Sequence, residues 1–136
     1  MIKKTIKYTD YNGEERTEDF FFHLNKAEAV EIEAKYPGGL IATAERISKA
    51  EDYASLVEIF KDLILKSYGE KSIDGKMFVK VDPKTGIRLA DNFAQTEAYS
   101  ELFTELATDA EAASKFFNGV VPNDNNKKAV PAPPVN

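Results

Sequence analysis

The fold is decided by residues 2–24, whose sequence is IKKTIKYTDYNGEERTEDFFFHL. Polar and apolar side chains alternate in the first half, and the second half ends in an apolar run, so both halves are typical of β-strands. Asn12-Gly13 between them is a strong turn signal. We therefore predict that the chain opens with a β-hairpin.

The number of residues in the hairpin loop decides which side chains share a face of the sheet. A two-residue loop, Asn12-Gly13, would put Phe20 and Phe22 on the same face as the lysines. A three-residue loop, Tyr11–Gly13, with its glycine in the left-handed conformation, pairs Phe22 with Ile2 instead. Because a shift of one residue moves every side chain to the other face, we predict the three-residue loop.

Local signals predict three helices after the hairpin. Asn25 and Glu28 have the spacing of a capping box, which predicts a helix over about residues 26–35. Pro37-Gly38-Gly39 ends it, and a second helix is expected at residues 40–49. The clearest helical pattern, with apolar residues three and four positions apart, runs over residues 52–67.

The second half of the chain is predicted to contain one short extended segment and further helices. Turn residues flank an alternating run at residues 77–81, which fits a small second hairpin or a single short strand. Helical spacing returns at residues 93–106. Thr108 and Glu111 have capping-box spacing, so we predict a last helix that begins after Thr108 and ends at Asn118-Gly119.

These elements predict an α+β fold, in which an N-terminal β-hairpin is followed by a mainly helical domain. A short extended segment or small hairpin is expected near residues 76–90. We expect residues 1–121 to form a single domain. Residues 122–136 are rich in Pro and Asn and have no apolar period, so we predict that they form a disordered tail.

Composition narrows the class of protein. The chain has 136 residues, a net charge of −5, no cysteine and one histidine. The acidic balance argues against nucleic-acid binding, because phosphate backbones are bound by basic surfaces. The lack of cysteine excludes disulfides, thiolate zinc sites and a cysteine nucleophile. No apolar run is long enough to span a membrane and residues 1–4 do not open a signal peptide, so we expect a soluble protein of the cytoplasm.

No motif for catalysis or metal binding is complete. His23 has no evident nucleophile or second ligand beside it in the sequence, and such a lone histidine is far more often structural. Residues 37–39 lack the Lys-Ser/Thr ending of a phosphate-binding loop, and Asp74 and Asp82 do not have the spacing of a calcium loop. We therefore expect no enzyme activity, no cofactor and no metal.

The charge pattern gives a candidate site for a protein partner. Residues 91–114 contain six acidic residues and no Lys, Arg or His. Glu97, Glu101 and Glu105 recur every four residues and so share one face of a helix, where like charges repel. One interpretation is a solvated face balanced by the basic segment 66–88 of the same chain. The other is a docking face for a basic helix of a partner.

Phe21 is a second candidate for partner binding. In the predicted hairpin it points away from Phe20 and Phe22, so it either covers a second layer of the protein or lies exposed at an interface. The predicted partner-binding residues are Glu97, Glu101, Glu105 and Phe21.

Several segments resemble one known family. They are residues 4–13, 18–28, 60–72, 95–103 and 105–110, and they include KTIKYTDYNG, EDFFFHLNKAE and FKDLILKSYGEKS. In these segments the chain resembles the tail assembly chaperones of siphophages, or prophages, of Gram-positive bacteria. The resemblance covers most of residues 1–122 and rests on overall pattern, with no catalytic motif to carry over.

The resemblance implies a function in assembly. It implies a factor in the host cell cytoplasm that binds and solubilises the tape measure protein and helps to recruit tail tube subunits. A structural component of the virion, such as a minor tail or head–tail connector protein, stays open as the alternative. The sequence also leaves self-association open.

Overall fold

The computed structural model describes residues 1–121, and it begins with the predicted hairpin. The hairpin strands are β1 (Ile2–Thr9) and β2 (Glu15–Phe22). They are antiparallel, and Ile2 pairs with Phe22. The N–H of Asp10 donates to the carbonyl of Glu14 at 2.8 Å, and Gly13 between them has a φ of +83°. The three-residue loop is therefore confirmed.

A second, smaller hairpin extends the sheet. Its strands are β3 (Tyr68–Lys71) and β4 (Phe78–Val79), and the four strands lie in the order β1-β2-β3-β4. Each neighbouring pair is antiparallel, but β2 and β3 pair only through Phe21 with Gly69 and Phe22 with Tyr68. The extended segment predicted near residues 76–90 is confirmed as β4, but its hairpin partner β3 lies ahead of that stretch, at the end of α3.

Six helices make up most of the remaining described chain. They are α1 (Lys26–Lys35), α2 (Leu40–Lys49), α3 (Tyr53–Ser67), α4 (Leu89–Phe93), α5 (Glu97–Thr108) and α6 (Ala110–Val120). The Asn25 side chain accepts from the N–H of Glu28 and the Glu28 carboxylate accepts from the N–H of Asn25, so the predicted capping box of α1 is confirmed. The fold class, α+β with an N-terminal hairpin and a mainly helical remainder, is confirmed as well.

The predicted start of the last helix is wrong by one residue. Asp109 is the N-cap of α6, and its carboxylate accepts from the N–H groups of Glu111 and Ala112 at 3.0 and 3.1 Å. Thr108 still belongs to α5, where its hydroxyl donates to the carbonyl of Thr104 at 2.7 Å. Aspartate is at least as good an N-cap as threonine, and it lies one position closer to the helix.

The predicted end of α6 at Asn118-Gly119 is also wrong, because the helix continues to Val120. The glycine serves close packing here instead of ending the helix. A Cβ atom on Gly119 would lie 2.7 Å from Cδ1 of Ile2, so only glycine lets the last turn of α6 approach β1 this closely.

The core lies between one face of the sheet and the helices. Phe22 is buried, and its ring contacts those of Phe93 and Phe116 at centroid distances of 5.8 and 5.3 Å. Tyr68 stacks on Phe93 at 4.3 Å. On the other face of the hairpin Lys3, Thr5, Lys7, Thr9, Glu15, Thr17 and Asp19 are exposed. The sheet therefore has an inner face against the helices and an outer face toward solvent.

Two further expectations concern the limits of the chain. The predicted disordered tail, residues 122–136, lies outside the described residues, and the division into one domain and a tail stays a prediction. Across residues 1–121, no helix combines the length and the apolar character that crossing a membrane requires.

Candidate protein-binding surface

The predicted acidic face lies on α5, next to the side of this helix that enters the core. Ala98, Leu102 and Leu106 are buried, and the three glutamates each precede one of them by one position. One residue turns a helix by about 100°, so the glutamates lie on the flank of the buried stripe. Glu101 and Glu105 are exposed, and Glu97 is half-buried.

One of the three glutamates is paired within the molecule. The carboxylate of Glu105 lies 3.0 Å from Nζ of Lys4, which projects from the inner face of β1. Glu97 and Glu101 make no ion pair within residues 1–121. The basic segment 66–88 reaches the acidic stretch through Arg88, whose guanidinium lies 3.0 Å from Asp91. Basic residues within residues 1–121 therefore neutralise only part of this acidic stretch, and Glu97 and Glu101 have no ion-pair partner there.

Phe21 lies on the outer face of the sheet, on the side opposite to the helices. It pairs with Lys3 of β1 and with Gly69 of β3, and its side chain is half-buried. The structure therefore does not bring Phe21 together with the α5 glutamates.

A groove between α3 and α5 lies beside the acidic flank. It has a volume of 630 Å³. Its apolar lining comes from Val57 and Leu65 of α3 and from Tyr99 and Phe103 of α5, all of them half-buried. Leu65, Tyr99 and Phe103 also pack against the core, whereas Val57 does not belong to that cluster. Such a groove can accept the apolar side of a helix.

The rim of this α3–α5 groove carries both signs of charge, with more acid than base. Glu58 and Lys61 line it from α3, and Glu97 lines it from α5. Burial, together with the nearby Glu58 carboxylate, raises the pKa of the Tyr99 hydroxyl above its usual value. The Tyr99 hydroxyl at this rim therefore stays neutral near pH 7.

Contacts from the end of α1 hold α3 in place. The hydroxyl of Tyr36 donates to Asp62 at 2.9 Å, and Nζ of Lys35 reaches the same carboxylate oxygen at 2.9 Å. Burial and the bond to Asp62 raise the pKa of Tyr36 to about 12. These contacts tie the end of α1 to the middle of α3 and so fix the position of one wall of the groove.

His23 has the surroundings of a structural residue. Its ring meets the edge of Phe78 at 5.9 Å, and within residues 1–121 its buried Nδ1 has no hydrogen-bond partner. Burial, the N-terminal amine and Lys80 all lower its pKa, so the ring stays neutral near pH 7. The described part of the chain contains no group of three or more His, Cys, Asp or Glu side chains placed to hold a metal ion.

The groove itself was not predicted from the sequence. The apolar positions of α3 and α5 mark both helices as amphipathic, but the pattern does not separate side chains that enter the core from those that line a surface groove. The sequence signal that could have indicated the groove is the width of the apolar stripe on α5. Tyr99 and Phe103 lie beside the buried positions of α5 and widen its apolar side toward α3.

Comparison with known proteins identifies the family. Neither curated proteins nor solved structures gave a significant match. A family model described as phage tail assembly chaperone matches residues 1–133, which is nearly the whole chain. This match agrees with the resemblance seen in the sequence segments. The chain therefore belongs to the phage tail assembly chaperone family.

Proposed function

We propose that this chaperone binds the tape measure protein, keeps it soluble, and helps to recruit tail tube subunits while the tail assembles in the host cytoplasm. Family membership supports a role in tail assembly and implies a protein partner. The tape measure protein as that partner, and a phage of Gram-positive bacteria as the source, come from the resemblance in sequence and are part of the proposal.

The proposed docking site is the α3–α5 groove, and the proposed ligand is an amphipathic helix of the tape measure protein. The groove offers half-buried apolar side chains from α3 and α5, and proteins bind the apolar side of a helix in grooves of this kind. A long helical protein that has not yet been enclosed exposes such apolar surfaces and aggregates. Covering them is therefore a direct way to keep it in solution. The apolar side chains in the lining of this groove are the observation that carries the proposal.

The free glutamates of α5 complete the proposed site. Glu97 lines the groove and Glu101 lies one turn further along the same flank, and neither is paired within residues 1–121. They are placed to meet basic residues that border the apolar side of a partner helix. Glu105 extends the same flank but is shared with Lys4. Phe21 lies on the other side of the sheet, so we propose it as a contact for a second protein.

The test is a substitution that introduces one negative charge into the lining of the groove. Val57→Glu places a carboxylate on the groove lining at a position that is not part of the core cluster. When this variant is co-expressed with the tape measure protein, we expect most of the tape measure protein to move from the soluble to the insoluble fraction. The parent chain should keep it soluble.

The matched control makes the same change elsewhere. Ile73→Glu lies in the turn between β3 and β4, where the parent side chain is fully exposed. This variant should keep the tape measure protein as soluble as the parent chain does. If Val57→Glu is folded, as judged by its circular dichroism and thermal unfolding, and still solubilises the partner, the groove is not the docking site.

A further inference from the structure

The β1–β2 hairpin has two strand edges that no other strand occupies within residues 1–121. The first is the outer edge of β1, the end strand of the sheet. Asp10 and Glu14 form a hydrogen-bonded pair at the loop, and bonded and non-bonded pairs alternate along an antiparallel ladder. The N–H and C=O groups of Lys3, Thr5 and Lys7 therefore point away from β2, and no other strand of the described chain pairs with them.

The second free edge belongs to the loop-side half of β2. His23 donates its N–H to the carbonyl of Ser67 at 2.8 Å, so the odd-numbered residues of β2 face β3. However, β3 pairs with β2 only at Phe21 and Phe22. The backbone groups of Glu15, Thr17 and Asp19 therefore lie on an edge that β3 does not reach.

The two edges carry opposite charges. Lys3 and Lys7 are exposed along the β1 edge, whereas Glu15 and Asp19 are exposed along the β2 edge. Like charges that face each other across two strands are destabilising, and opposite charges are stabilising. Each edge therefore repels a copy of itself and attracts the other edge.

We propose that copies of this chain associate through these edges, with the β1 edge of one copy pairing with the β2 edge of the next. The shared surface is a continuous antiparallel sheet in which backbone hydrogen bonds supply affinity. Asp19 already contacts Lys3 and Thr5 of its own hairpin, so the pair of Lys7 with Glu15 selects the orientation. The contact uses two different surfaces, so it is head-to-tail, and further copies add in line or close into a ring.

The edge lysines have a second known use, which is to prevent strands from pairing. That use explains why two β1 edges avoid each other. It does not oppose an acidic edge, because a lysine that faces a carboxylate favours the contact. The groove between α3 and α5 takes no part in this contact, so self-association is independent of the proposed function.

Charge exchange tests the proposal on the full chain alone. Lys7 and Glu15 make no ion pair within residues 1–121, so changing either leaves the contacts inside the hairpin in place. In sedimentation velocity, the parent chain should show a weight-average mass that rises above the 15.2 kDa of one copy as its concentration increases. Lys7→Glu and Glu15→Lys should each raise the dissociation constant roughly tenfold, since an attractive pair becomes repulsive.

Mixing the two variants gives the decisive result. In a mixture of Lys7→Glu with Glu15→Lys, both kinds of contact are again between opposite charges, so the increase in mass should return. The control Lys76→Glu makes the same charge change in the turn between β3 and β4 and should associate as the parent does. A parent chain that stays monomeric at all concentrations, or a mixture that stays as dissociated as its components, would overturn the proposal.

Cross-linking tests which edges meet, and the absence of native cysteine makes it specific. Thr5→Cys places a thiol on the β1 edge and Thr17→Cys places one on the β2 edge. A short bis-maleimide should link the two variants when they are mixed and should link neither variant to itself. Efficient linking of Thr5→Cys to itself would show a symmetric β1–β1 contact and contradict the head-to-tail arrangement.

Discussion

At the scale of single residues, the contact between Gly119 and Ile2 joins the last turn of α6 to the first residue of the sheet. Glycine in a helix costs about 0.5–1 kcal/mol relative to alanine, so its presence here needs a compensating contact. The compensation is the close approach, because a Cβ would lie 2.7, 3.0 and 3.2 Å from three side-chain atoms of Ile2. The short distance to Cβ of Ile2 matters most, since that atom cannot move away without the strand.

We predict that Gly119→Ala lowers the free energy of unfolding despite the gain in helix propensity. Overpacking costs about 1–3 kcal/mol, which exceeds that gain. Chemical denaturation measures the difference. In the background of Ile2→Gly, which removes all three of these side-chain atoms, the same substitution should cost clearly less. A stabilising effect of Gly119→Ala would mean that α6 does not pack this closely against β1.

At the scale of elements, the junction between α5 and α6 depends on one side chain. Asp109 ends α5 and caps α6 with two hydrogen bonds from the backbone. We predict that Asp109→Ala lowers the free energy of unfolding by about 0.5–2 kcal/mol, the usual cost of losing an N-cap. Thr108→Ala is the matched control and should change it by less than about 0.5 kcal/mol, because Thr108 bonds only within α5. If both substitutions lowered the free energy of unfolding equally, Asp109 would not be the sole N-cap of α6.

The same junction shows which parts of the fold the sequence could predict. The bounds of α1 and the loop of the first hairpin follow from signals a few residues long, namely a capping box and a glycine in a bulged turn, and both were predicted. The start of α6 was missed by one residue between two adjacent capping candidates, whereas the two other errors lie where distant contacts decide. α6 continues beyond Gly119, where the glycine packs closely against Ile2 of β1. β3 starts at Tyr68, where it pairs with Phe22 of β2. No local pattern contains either partner.

At the scale of the whole molecule, the predicted partner-binding residues divide between two sides of the sheet. The helical spacing of Glu97, Glu101 and Glu105 placed them correctly on one flank of α5. The helical spacing could not predict the ion pair between Lys4 and Glu105 or the groove that α3 forms beside Glu97, because both depend on how distant segments pack. The orientation of Phe21 followed from strand alternation alone, and that orientation separates it from the helices.

This separation predicts that partner binding and self-association can be lost independently. Glu97→Lys combined with Glu101→Lys reverses the free charges beside the groove, so it should weaken retention of the tape measure protein in a pull-down and leave the sedimentation behaviour of the chain alone unchanged. Lys7→Glu should weaken self-association in sedimentation and leave retention of the tape measure protein unchanged. Glu31→Lys combined with Glu45→Lys, on exposed positions of α1 and α2, controls for net charge and should change neither measurement. Raising the salt concentration should weaken both interactions, because exposed charges are screened within about 10 Å at 0.1 M salt. If the Glu97 and Glu101 variant abolished both activities while remaining folded, the two surfaces would be coupled, and the assignment of one partner to each side of the sheet would be wrong.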